Sequence, residues 1–261
     1  GLDVVYWINL DRSVERRRHM NNVFSDKVFK NIPANRIAAI DSKGLKVDKY
    51  INLNYDMVTA NAGVTIKEYA CLLSHLKALQ TFSKSKYDIA LVMEDDMTLA
   101  LKPCWKQPIK DVMNSAPKDW EIIKIHSPIM HRQMFTRSVY KHGNMSDPYS
   151  WSLAAYIIKR ESAIKLLDKF YDGKKYDLTN NNYIHRADYF LDMNLTTYIY
   201  KYPYFTTRLN NDTNIQKDIL AANMFTLKCN RNKITYRYKN IQKIIKKKYK
   251  NFNQTRKNKC K

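Results

Sequence analysis

Three consecutive acids, Glu94, Asp95 and Asp96, stand directly behind an apolar run in the stretch DIALVMEDDMTLA. The chain around them carries a formal net charge of +22, so the triplet is out of keeping with its background. Carboxylates crowded together repel, and they become stable neighbours mainly when a cation or a basic ligand lies between them. Ile89 to Met93 is too short for a spanning helix and rich in aliphatic and β-branched types, which predicts a strand buried on both faces of a mostly parallel sheet. Ligands collect at the C-terminal ends of such strands. Side chains alternate along a strand, so Glu94 and Asp96 are expected to point one way and Asp95 the other. Two oxygen donors then converge on one point, and hard oxygen donors suit Mg2+ or Mn2+ and disfavour zinc or copper. The plain alternative is an acidic strand end facing water.

The elements that must position these acids follow from periodicity. Val4 to Leu10 (VVYWINL) is an apolar run of strand length, and Asp11, Arg12 and Ser13 open a charged segment with Val14, Met20 and Phe24 at helical spacing. A second short strand is predicted at Arg36 to Ile40, with Asp41 just beyond its end. Thr65 to Glu68 (TIKE) is a capping-box pattern that starts a helix. Tyr69, Leu72, Leu73, Leu76, Leu79 and Phe82 then recur at three and four, giving that helix one apolar face before it leads into the acidic strand. Trp120 to His126 and Ser152 to Lys159 read as further strands, Glu161 to Phe170 as a helix, and Thr197 to Phe205 as a late strand stopped by Pro203. Ser127 to Tyr149 lacks periodicity and is expected to form a long loop over the sheet edge.

At 261 residues with only five glycines and seven prolines, the chain predicts one continuous α/β domain over residues 1–230 and a basic tail over 231–261. The tail holds 13 Lys or Arg and no acid, more than half of the net charge. It suits an anionic surface, though a solvated helix with a frayed end explains it equally well. Cys71, Cys104, Cys229 and Cys260 show no CxxC spacing and no clustering with histidine, so neither zinc nor a disulfide framework is expected. No signal or membrane-spanning segment is present in this chain. Since Gly1 lies against the first strand, an upstream leader is left open, and localisation stays undetermined between the cytoplasm and the secretory pathway.

Several of these segments fall into one order, and in that order the chain resembles glycosyltransferase family 25. That family includes bacterial lipooligosaccharide galactosyltransferases and collagen hydroxylysine galactosyltransferases. The resemblance rests on VVYWINLDRSVERR, on NRIAAIDSKG for the family's ERF-A-DG segment, on IKEYACLLSH for its GE-GC-LSH helix, then on ALVMEDD, AYIIKRESAIKLL and ADYFLD. It covers roughly residues 3 to 215, with two departures: Lys67 and Ala70 replace the glycines before Glu68 and Cys71. It implies a GT-A type, Rossmann-like nucleotide-sugar-binding domain, a UDP-sugar donor and a divalent metal, normally manganese.

Within that frame Glu94 and Asp96 are the acids placed to hold the metal. Asn9 and Leu10 at the end of the first strand are placed to meet the nucleotide, Arg12 and Arg16 to neutralise its diphosphate, and Asp41 to accept from uracil or ribose. The arginines and Asp41 have ordinary structural alternatives: a solvated helix face for the former, a turn cap for the latter. His75 is expected as a buried, hydrogen-bonded histidine with a structural or donor-contact role. Asp188 in ADYFLD matches the family acid on the acceptor side, where inverting transfer needs a base; its alternative is a helix cap. Asp212 is a more distant candidate for a third metal ligand.

The expected activity is a metal-dependent inverting transfer of galactose or glucose from a UDP-sugar to a hydroxyl acceptor, either collagen-like hydroxylysine or a growing glycan. The rival is a basic nucleic-acid-binding protein or metal-dependent nuclease, motivated by the charge and the acid cluster. No obligate nucleic-acid partner is implied, and the oligomeric state is left open.

Overall fold

The first strand, β1 (Val4–Asn9, VVYWIN), is buried at every position, which only the interior of a sheet covered on both faces provides. In the computed structural model, which describes residues 1–53, 64–126, 140–142, 152–179 and 185–208, it has a parallel neighbour on each side. β2 (Ala34–Ala38) pairs with it from Val5↔Ala34 to Asn9↔Ala38. Two short strands, β3 (Ile51–Asn52) and β5 (Met97–Thr98), lie outside the main sheet. β4 (Ile89–Glu94) pairs with β1 from Val4↔Ala90 to Ile8↔Glu94. β6 (Ile122–Lys124), β7 (Tyr140–His142), β8 (Ala155–Lys159) and β10 (Thr197–Tyr200) complete a seven-stranded sheet in the order β2-β1-β4-β8-β6-β10-β7. The α/β class therefore holds, with a mixed, mostly parallel sheet: only β8 and β7 run against their neighbours. The small ladders join β3 to β9 (Tyr176–Asp177) and β5 to β11 (Thr206–Thr207).

Helices cover both faces. α1 (Val14–Phe24) and α3 (Ile109–Ser115) pack Met20, Val23 and Val112 against Val5, Trp7, Leu91 and Ile123. α2 (Ile66–Ser83), α4 (Arg160–Phe170) and α5 (Ala187–Asn194) pack Leu72, Leu76, Phe82, Leu166 and Phe190 against Tyr6, Ile8, Val92 and Tyr156. The predicted capping box starts α2: the Thr65 hydroxyl accepts from the Glu68 N–H, and the Glu68 carboxylate accepts the Thr65 N–H at 2.7 Å. The chain leaves β1 through α1 to reach β2, then crosses the opposite face through α2 to reach β4 on β1's other side. Connections diverge at β1, which makes the C-terminal ends of β1 and β4 the crevice where such sheets bind ligands.

The second strand lies two residues earlier than predicted. Pairing with β1 ends at Ala38, and Ile40 has left the sheet, its N–H bonded to the Ser74 hydroxyl at 2.9 Å. The strands predicted at Trp120–His126, Ser152–Lys159 and Thr197–Phe205 are each shorter, because apolar side chains continue past the last ladder bond. The expected loop at 127–149 lies largely outside the described residues, but Tyr140–His142 within it forms the edge strand β7, antiparallel to β10. The boundary at residue 230, the tail over 231–261 and Asp212 lie outside the described residues. No helix among the described residues is long and apolar enough to cross a membrane.

Two polar links stitch the later strands to α5. Lys124 Nζ donates to Asp192 Oδ2 at 2.6 Å, with both side chains 1% exposed. Beyond β6, His126 Nδ1 meets the Ser152 hydroxyl at 3.1 Å, and the Ser152 N–H donates to Asp188 Oδ2 at 3.0 Å. Ser152 sits at φ 93, a left-handed conformation that costs a non-glycine residue energy. Its bonds to Asp188, His126 and the Ala154 N–H hold it there.

Removing one partner of a buried ion pair strands the other charge, so Lys124→Met should cost about 3–5 kcal/mol, whereas Lys124→Met with Asp192→Leu should recover most of that loss. Urea unfolding of both variants checks this, and a single substitution no worse than the double would show that the pair does not hold α5.

Burial pushes the His126 ring down to about 4, with the charge of Glu94 only partly opposing it. An unfolded histidine titrates near 6.5, so the unfolded chain takes up this proton first as pH falls. The contribution of neutral His126 is fully present above about pH 6.5 and is lost progressively as pH falls towards 4. His126→Gln, which retains a partner for Ser152, should therefore lose less thermal stability than the parent between those limits. Identical slopes would assign the acid sensitivity elsewhere.

Candidate active site

The C-terminal ends of β1 and β4 open into a cavity of about 370 Å³. Its apolar floor comes from Ile8, Leu10, Ala39, Ile40 and Ala70, its basic wall from Arg12, Arg16, Lys43 and Lys67, and its acidic wall from Glu94, Asp95 and Asp96. Cys71, Ser74 and His75 of α2 complete the lining. Small residues at 70, 71 and 74 are what leave the space open on this side. Ser74 also fixes the chain leaving β2, accepting from the Ile40 N–H and donating to the Ala70 carbonyl.

The expected alternation of the acids stops at Glu94. Asp95 and Asp96 form a turn before β5, so strand geometry no longer sets their directions, and all three carboxylates border one cavity. Their partners differ. Asp95 is 6% exposed and accepts from Asn9 Nδ2 at 2.7 Å and from Arg16 Nη1. Arg16 also reaches towards Asp96, with Nη2 4.0 Å from Oδ2. Burial works against the Arg16 charge, but Asp95 and Asp96 more than offset it and raise its pKa. Burial, then the neighbouring Glu94 charge, push Asp96 up to about 7. Burial acts the same way on Glu94, but the facing His75 ring and the charge of Arg16 outweigh it and hold Glu94 below the usual carboxylate range.

Among the other sequence-predicted residues, Leu10, Arg12, Arg16 and His75 line the cavity, while Asn9, Asp41 and Asp188 do not. Asn9 is 1% exposed and its amide is used internally: Nδ2 serves Asp95 and the Ser13 carbonyl, and Oδ1 accepts from Arg36 Nε at 2.9 Å and Arg17 Nε at 3.3 Å. Asp41 accepts from Arg12 through both carboxylate oxygens and from the Lys43 N–H at 3.0 Å, a turn contact at the cavity's edge. His75 is 1% exposed, with Nδ1 3.2 Å from the Tyr156 hydroxyl and Nε2 3.6 Å from Glu94 Oε1. Asp188 lies in the first turn of α5, where the cap position belongs to Arg186. Its Oδ2 accepts from Ser152 and its Oδ1 from the Tyr189 N–H.

Sequence reasoning missed Arg36, whose guanidinium orders Asn9 and also reaches Asp11. It left Lys67 as a mere departure from a motif, although Lys67 borders the cavity. It also found no clustering of cysteine with histidine. The structure corrects this: Cys71, His75 and Glu94 bring ligand atoms within 4.8 Å of one another, and the four-residue spacing of Cys71 and His75 on one helix was the available signal.

Carboxylate oxygens facing a cavity are hard donors, and Asp96 Oδ1 is a buried atom without a hydrogen-bond partner. Glu94 and Asp96 therefore fit a hard divalent ion, whereas Asp95 is already committed to Asn9 and Arg16.

Comparison with known proteins places this site in context. The family model described as Glycosyltransferase family 25 (LPS biosynthesis protein) matches residues 3–180. Human procollagen galactosyltransferase 2 is 27% identical over 175 residues, 64% of this chain and 28% of that protein. Procollagen galactosyltransferase 1 of Danio rerio is 28% identical over 177 residues, and a glycosyltransferase 25 family member of Aedes aegypti 25% identical over 177. Each alignment covers 28% of the relative, so the chain spans little more than a quarter of their length. Among solved structures, a Drosophila beta-1,4-galactosyltransferase 7 variant in complex with manganese, UDP-Gal and xylobiose matches with a TM-score of 0.34 and 10% identity, covering 89% of this chain and 82% of that one. A superposition that loose assigns no ligand. The match over residues 3–180 spans well over half of the sequence, and the chain belongs to glycosyltransferase family 25.

Proposed function

We propose that this protein is a metal-dependent, inverting glycosyltransferase of GT-A type that moves galactose or glucose from a UDP-sugar to a hydroxyl acceptor. The observation that carries this reading is the cavity at the ends of β1 and β4, which sets a basic wall and an acidic wall over an apolar floor. A nucleoside diphosphate needs all three. Its base and ribose pack on Ile8, Leu10, Ala39 and Ile40, and its phosphates lie within reach of Arg12, Lys43 and Lys67. Arg16, held by Asp95, organises the acids more than it binds the donor. Asn9 acts one step further back by fixing Asp95, and Asp41 by fixing Arg12. His75, gripped by Tyr156, orients Glu94.

Glu94 and Asp96 would hold Mn2+ or Mg2+, which when bound offsets the negative charge that gathers on the departing diphosphate. The basic wall adds to that effect from the opposite side. Inversion requires the acceptor oxygen to attack from the face away from UDP, and a sugar or hydroxylysine hydroxyl is a poor nucleophile unless its proton is taken as the bond forms. Asp188 is assigned that proton. Its charge is felt at the Cys71 thiol, which lines the cavity, and the Ser152 and Tyr189 N–H groups fix its carboxylate. Relatives that are procollagen galactosyltransferases favour UDP-galactose and a collagen-like acceptor over UDP-glucose and a glycan.

A ligand that binds only the folded state raises its melting temperature. UDP with Mn2+ should therefore stabilise the protein more than either alone, and Asp96→Ala should remove the Mn2+-dependent part and abolish turnover. Undiminished turnover in excess chelator, or in Asp96→Ala, would remove the metal from the reaction; absence of any response to UDP with Mn2+ would remove the donor.

Asp188→Asn should keep UDP and Mn2+ affinity while lowering transfer by ~10²–10⁴-fold, the usual contribution of a placed base. Near-native transfer would reduce Asp188 to the residue that holds Ser152, and a parallel loss of UDP binding would make it a donor contact.

A further inference from the structure

Cys71 and His75 stand four residues apart on α2, so their side chains rise from the same helical face, and both border the cavity. Glu94 meets them from the end of β4. One ligand atom from each, the Cys71 Sγ, a His75 ring nitrogen and a Glu94 oxygen, lie within 4.8 Å of one another. Nε2 of His75 is buried without a hydrogen-bond partner and faces Glu94 Oε1 at 3.6 Å, while Nδ1 is held by the Tyr156 hydroxyl at 3.2 Å. An imidazole anchored through one nitrogen with the other left for an ion is the usual arrangement of a metal-ligating histidine.

We propose that Cys71, His75 and Glu94 form a second metal site, selective for Zn2+ and similar borderline-soft ions, which shares Glu94 with the Glu94–Asp96 pair and so excludes the hard ion when filled. A thiolate, an imidazole and one carboxylate favour Zn2+ over Mg2+ or Mn2+, just as the two carboxylates favour the reverse. Zn–S and Zn–N bonds of about 2.3 and 2.0 Å place the ligands of a tetrahedral ion roughly 3.5 Å apart. Closing from the present spacing needs only about an ångström of side-chain rotation, and Cys and Glu both have that freedom at a cavity wall. The cavity itself admits the ion and leaves room for a water as fourth ligand. On binding, the thiol proton passes to solvent. Burial pushes the Cys71 thiol up in the metal-free protein, with the charges of Glu94 and Asp188 adding to it, so the free site is a neutral thiol rather than a reactive thiolate. The site stands on geometry alone; only its competition with Mn2+ rests on the transferase reading.

The probe is Co2+, which occupies zinc sites and reports a bound thiolate through an intense charge-transfer absorption in the near ultraviolet. The protein freed of metal with a chelator should develop that band, saturate at about one equivalent, and lose it when Zn2+ is added. Cys71→Ser should abolish the band, and Glu94→Gln should weaken Co2+ affinity tenfold or more while the band persists at saturation. Asp96→Ala should leave it unchanged. Metal-free melts establish that each variant is folded, and Cys71→Ala serves if the serine variant is not. A parent without the band, or a Cys71 variant that keeps it, overturns the site. In the presence of UDP and Mn2+, one equivalent of Zn2+ should suppress the thermal shift of the parent but not of Cys71→Ser. Equal suppression in both overturns the competition. A Co2+ band with no response to UDP and Mn2+ in any variant would leave the site standing and remove the transferase reading instead.

Discussion

Carboxylates on three successive residues repel one another, and much of this end of the sheet serves to keep Glu94, Asp95 and Asp96 in one place. The repulsion is settled by giving each acid a different environment. Asp95 is taken inside by Asn9 and Arg16, Glu94 faces His75, and Asp96 keeps an unpartnered oxygen. Asp95 is therefore the anchor of the three. Through it β4 is tied to α1, and through Asn9 and Arg36 to both β1 and β2. A cluster that in isolation would fly apart becomes the point at which the first strands of the fold are fastened together.

The opposite wall depends on the composition of one helix. α2 buries Leu72, Leu76, Leu79 and Phe82 against the sheet, and on its side towards the cavity carries Ala70, Cys71 and Ser74. Leucines at those positions would fill the space that a nucleotide needs. Ser74 does more than stay small, since its hydroxyl bridges the helix to the chain leaving β2 and so sets the height of the apolar floor. The capping box at Thr65 and Glu68 fixes where this helix begins, and with it the height at which Lys67 meets the cavity mouth.

Much of this was legible in the sequence, for physical reasons that differ by element. The strand before the acids, the helix before it and its cap all follow from local patterns, and each lies where predicted. Strand direction was not legible, because a short apolar run such as that of β8 looks the same parallel or antiparallel; its place between β4 and β6 is set by pairing with distant segments. The internal partners of the Asn9 amide were hidden for a similar reason. An amide at a strand end suggests a ligand contact, and what redirects it inward is Arg36, 27 residues away in sequence, which no local pattern flags. The acids at 95 and 96 were assigned directions from strand alternation that a turn cancels.

The antiparallel insertion of β8 also bears on how the chain is made. Every described residue that lines the cavity lies between Ile8 and Asp96, so this lining leaves the ribosome before β8 does. β1, β2 and β4 can then pair, but the second edge of β4 waits for Ala155–Lys159, some 60 residues later. During that interval an apolar central strand presents an open row of N–H and C=O groups, the kind of edge that invites pairing with another chain. A nascent chain of this protein thus completes the cavity lining before its sheet is closed and before Asp188 is made, and it is in that window that a chaperone has most to protect.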